Sequence, residues 1–206
     1  MSLVSVATLK TYLPEISGTA ADTDLGTRLD RTEGIIAQYL GFPSLPDESD
    51  KYLSHKLVAS DYTLHLDGPM FTDRSVLQLP IRPINSITSV HSDPNLVYGS
   101  DTAIDATEYI LDKALGRLIL KPQVATNGFD TAFRAIKVVC NAGYTTTTNK
   151  LEHAVCVYAS QLHRQKSSQG KESSGQRGSS VKYSPKSMPF EVKEILYSIR
   201  SSSMVM

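Results

Sequence analysis

This chain has no surplus of charge. Lysine and arginine number 21, aspartate and glutamate also 21, so no global field draws the protein to nucleic acid or to a membrane surface, and any charge preference must be local. Long apolar runs are missing as well. None approaches the length of about 18 residues that marks a membrane-crossing helix, so no span and no membrane partner is expected. Only two cysteines occur, Cys140 and Cys156, both within apolar runs. With no signal peptide expected, buried reduced thiols are the natural reading. The phosphate-cradling G-x-x-x-x-G-K-[ST] and the G-x-S-x-G elbow are both absent, which removes the usual marks of a nucleotide-driven motor and of a serine hydrolase. Tyrosine outnumbers the other aromatics, 10 against 5 phenylalanines and no tryptophan. Without basic residues interleaved, such tyrosines fit core or interface positions better than base-stacking platforms.

The remaining chemical candidates have structural explanations. His153, Cys156 and His163 fall on one predicted helix, but His153 and His163 stand about 15 Å apart along its axis, too far to share an ion bound about 2 Å from each nitrogen. The pairs Asp22 with Asp24 and Asp101 with Asp105 are accounted for by helix capping and loop solvation. No catalytic residue, cofactor or metal site is expected, and the chain does not read as an enzyme.

What is present is a helical beginning, a β-type middle and a helical end. Ser5 caps a helix over 5–13 in which Val6, Leu9 and Leu13 recur at three and four, and Pro14 ends it. Asp22 or Thr23 can cap a longer helix, 22–40, with Leu25, Leu29, Thr32 and Ile36 on one stripe and Gly41 as its stop. Gly26 and Gly34 lie inside that helix at a cost near 1 kcal/mol each relative to alanine. They are therefore candidate packing residues, where a neighbouring helix or subunit comes close. The segment Tyr52 to Ala59 has spacing that suits a short helix.

From Tyr62 the pattern changes to alternation. Tyr62, Leu64 and Leu66 form one strand face, closed by Asp67-Gly68-Pro69. Val76, Leu77 and Leu79 make a second strand that Pro80 closes. Pro83 forbids a helix across Arg82, and Ile84, Ile87 and Val90 then resume, so two strands meet at a Pro-x-x-Pro corner. Tyr109 to Asp112 and Arg117 to Leu120 read as a hairpin, and Ala135 to Cys140 as the last strand. Asn149 can cap a helix over 150–164 with Leu151, Ala154, Val155, Tyr158 and Leu162 on one face.

Residues 165–187 are dominated by serine, glycine, lysine and glutamine, and have no apolar stripe to offset ordering entropy. From 164 to 186 the chain holds six cations and one carboxylate, Glu172. Pro189 then opens a last helix with Val192, Ile195, Leu196 and Ile199 on one face. The expected fold is α+β: a helical bundle with a small antiparallel β-sheet inserted at about 61–142, forming a body over 1–164, and an extended C-terminal arm over 165–206.

The order of these parts is distinctive. A helix, a long helix ending in YLG, a sheet segment with LDG, LxLPxxPI and SITSV, then YILD and GRLIL, then VxxNAGY and a closing helix together resemble the head-tail connector, or adaptor, family of tailed bacteriophages. The resemblance covers residues 5 to 165. It implies a mostly helical subunit with a β insertion, assembled as a homo-oligomeric ring, usually of twelve, beneath the portal of the capsid. Such a ring is a structural conduit through which double-stranded DNA passes without specific contacts. The implied partners are the portal protein, a tail completion or stopper protein, and copies of the chain itself. The implied place is the head-tail junction of the virion, after assembly in the bacterial cytoplasm. On this reading the basic arm (Lys171, Arg177, Lys182, Lys186) and its apolar helix (Val192, Ile195, Leu196, Ile199) bind the portal or a neighbouring subunit. The arm is longer than the family pattern requires. It supports an alternative, a nucleic-acid-binding accessory module that uses the arm without sequence preference.

Overall fold

A computed structural model describes residues 2–45, 55–69, 74–113, 115–122, 128–165, 173–176, 179–182 and 188–201. The chain opens with α1 (Val6–Thr11) and α2 (Asp22–Leu40). Seven strands follow: β1 (Ser60–Leu66), β2 (Val76–Gln78), β3 (Ile84–Ser92), β4 (Ala103–Ile104), β5 (Tyr109–Asp112), β6 (Arg117–Leu120) and β7 (Ile136–Ala142). Then come α3 (Asn149–Arg164), β8 (Ser173–Gln176), β9 (Ser179–Lys182) and α4 (Phe190–Ser201).

The helix ends follow from local chemistry. Ser5 has extended backbone and its hydroxyl accepts from the Thr8 N–H at 3.0 Å, the expected cap of α1. Gly41 ends α2 in the left-handed conformation, φ 88°. Two expected caps are displaced by one position. Asp22 is the first helical residue of α2, where its carboxylate faces the positive helix end. At α3 the cap is Thr148, whose Oγ1 accepts from the Leu151 N–H at 3.3 Å, and Asn149 is already helical.

The expected helical bundle with one small inserted sheet is wrong. The fold is α+β, but its strands β1 to β7 form two antiparallel sheets, one of four strands ordered β1-β7-β3-β4 and one of three ordered β2-β6-β5. The Pro-x-x-Pro corner is where they separate: β2 before it pairs with β6, and β3 after it pairs with β7. Pro80 and Pro83 have no N–H to give to a ladder, so neither flanking strand can extend through the corner. The sheets and helices share one core. Along β7, Ile136, Val138, Cys140 and Ala142 are buried while Lys137, Val139 and Asn141 stay partly exposed. Leu25, Leu29 and Ile36 of α2 and Leu151, Ala154 and Val155 of α3 belong to the same buried cluster.

Three further expectations are corrected. Residues 52–54 of the expected short helix lie outside the described residues, and 55–59 are not helical. There the chain runs beside the end of β7, with Ala59 N–H donating to Tyr144 O at 3.0 Å and Tyr144 N–H to Leu57 O at 2.8 Å. Gly143, at φ 113°, permits this approach, since a Cβ there would stand 3.0 Å from the Ala59 backbone. Second, β8 and β9 pair antiparallel, Ser173 opposite Lys182 and Gln176 opposite Ser179, in a stretch read as unable to order. Composition argued there from missing apolar burial, whereas a ladder satisfies backbone groups whatever the side chains. Third, the C-terminal helix is not the end of an extended arm. It packs on α3 and α2, with Val192 and Leu196 wholly buried.

Candidate functional site

The buried groups of the helical layer hold it together. Glu33 of α2 accepts from Ser2 Oγ at 2.7 Å, from the Leu3 N–H at 2.9 Å and from the Val4 N–H at 2.9 Å, tying the start of the chain to the body. Burial pushes its carboxyl above the ordinary value, against the pull of those donors. Tyr12 of α1 meets His153 Nδ1 at 3.1 Å, and His153 Nε2 meets Glu191 Oε1 at 3.1 Å, a chain of contacts through α1, α3 and α4. His163 instead faces Asp24 at 3.9 Å. Cys140 and Cys156 are free and buried, and burial raises their thiols to about 11 and about 12, so neither is a thiolate near neutral pH. Among the described residues, no group of three or more His, Cys, Asp or Glu side chains could hold a metal ion. None of the described helices is long and apolar enough to cross a membrane.

The outward features lie elsewhere. Large apolar side chains stand exposed at Leu96, Val97, Ile110, Phe133, Phe190 and Tyr197. Three of them sit on two neighbouring loops, one after β3 and one before β7. Asp93 organises the first loop: its Oδ1 accepts from the Asn95 N–H at 2.8 Å, its Oδ2 from the Val97 N–H at 2.9 Å and the Tyr98 N–H at 2.7 Å. Those backbone donors hold its carboxyl below the usual range. The loop needs this support, because Leu96 and Tyr98 have positive φ, 62° and 54°, as does Arg134 in the second loop at 51°. Tyr98 fastens the loops together. Its O–H donates to Arg134 O at 2.6 Å, which leaves the phenolic oxygen to accept from His65 Nδ1 at 3.2 Å. Val97 and Phe133 are thereby displayed at 77% and 73% exposure.

Beside these loops runs a row of basic side chains. Pairing places His65 of β1 opposite Lys137 of β7, and Lys137 opposite His91 of β3, so the three fall in line across the open face of the larger sheet. Lys137 Nζ lies 5.5 Å from the Tyr98 ring centroid, within cation–π reach. Burial first, and then Arg134 and Lys137, hold the His65 ring below its ordinary value.

The second outward surface is on α4. At 100° per residue, Phe190 and Tyr197 project within about 20° of each other, opposite the buried Val192 and Leu196. They are 75% and 68% exposed.

The residues assigned to binding from sequence are distributed as follows. Lys171, Arg177 and Lys186 lie outside the described residues, and Lys182 ends β9 opposite Ser173. Val192 and Leu196 are buried, and Ile195 and Ile199 pack partly buried on the same core. The groove this apolar face was expected to find on a partner is supplied by the chain's own α3. Gly34 is buried within α2. At Gly26 an added Cβ would meet only Val6 Cγ2, at 3.9 Å, so the neighbour there is α1 at ordinary contact distance. Sequence reasoning missed the 93–98 and 133–134 loops, which have no periodicity. The available signal was Asp93-Pro94-Asn95, an Asx-type turn followed by apolar residues with no place in a strand face. No family model matches this chain, and no curated protein matches it.

Proposed function

We propose that the chain is a structural head-tail adaptor of a tailed phage, forming a ring that joins the portal to a tail completion or stopper protein and lets DNA pass. The observation that carries this reading is the succession of motifs in the sequence, several of which coincide with element boundaries. YLG closes α2 at Gly41. LDG begins at Leu66, the last residue of β1, LPxxPI forms the corner between the two sheets, and NAGY ends β7 beside Val58. A ring needs two different complementary faces on each subunit, and among the described residues exposed apolar side chains stand on the 93–98 and 133–134 loops, on β5 at Ile110 and on α4.

The test is genetic and direct. Particles made without the chain should accumulate as DNA-filled heads and separate tails, and adding purified protein should join them. Infectious, joined particles that lack the chain would refute the reading.

A further inference from the structure

We draw no further inference here: the strongest candidate, the exposed apolar patch of Leu96, Val97 and Phe133 on the 93–98 and 133–134 loops, is an unpartnered face, and nothing in the structure shows what covers it.

Discussion

Truncating Leu196 to alanine tests whether the last helix belongs to the body or to a partner. Leu196 is wholly buried on α4, beside the equally buried Val192, and it faces α3. Removing a leucine side chain from such a site costs about 2–5 kcal/mol, the spread reflecting how far the surroundings collapse into the space. For a domain of this size each kcal/mol lowers Tm by about 2–4 °C. The expected fall is therefore about 4–20 °C, measured by thermal unfolding followed by circular dichroism. Ile199→Ala, at a half-buried position on the same face, should cost less. Deleting the segment from 165 onward should destabilise the remaining body, because it uncovers apolar surface of α3. The reasoning fails if Leu196→Ala leaves Tm unchanged within 1 °C while abolishing attachment to heads, since the apolar face would then belong to a partner.

Three other outcomes follow from the same geometry. Because burial raises the Glu33 carboxyl in the folded state, folding takes up a proton: its contribution is full below the ordinary value of 4.5 and is lost as pH rises through the raised one. Urea unfolding from pH about 4 to 8 should show the wild type losing stability relative to Glu33→Gln, and parallel profiles would contradict this. Gly68→Ala should destabilise the fold, because its Cβ would collide with the Asp130 backbone carbonyl, and a thermal melt matching wild type would show that contact to be slack. DNA binding by the purified protein should be weak, salt-dependent and indifferent to sequence, near the 10⁻⁴–10⁻⁶ M typical of non-specific contact, as roughly judged by fluorescence anisotropy. A nanomolar, sequence-selective complex would contradict a conduit.

Local rules made part of this fold legible. The stripe Leu25, Leu29, Ile36 with Gly41 behind it located α2, and the hairpin of β5 and β6 has the boundaries its alternation and turn residues imply. What could not be read is non-local. Alternation in Tyr62, Leu64 and Leu66 announces a strand, yet nothing in it names β7, some seventy residues onward, as the partner, so one sheet could not be told from two. The stripe on α4 announces burial without saying whether the covering surface belongs to the same chain. The loop surface was less legible still. Leu96, Val97 and Phe133 follow no period, and the row His65, Lys137, His91 exists only once three distant strands are in register.

Electron microscopy of joined particles tests the central claim most directly. At the head-tail junction the account predicts a ring of subunits whose density accepts this fold. A junction whose ring is built from another protein, with no density for this chain, would contradict it.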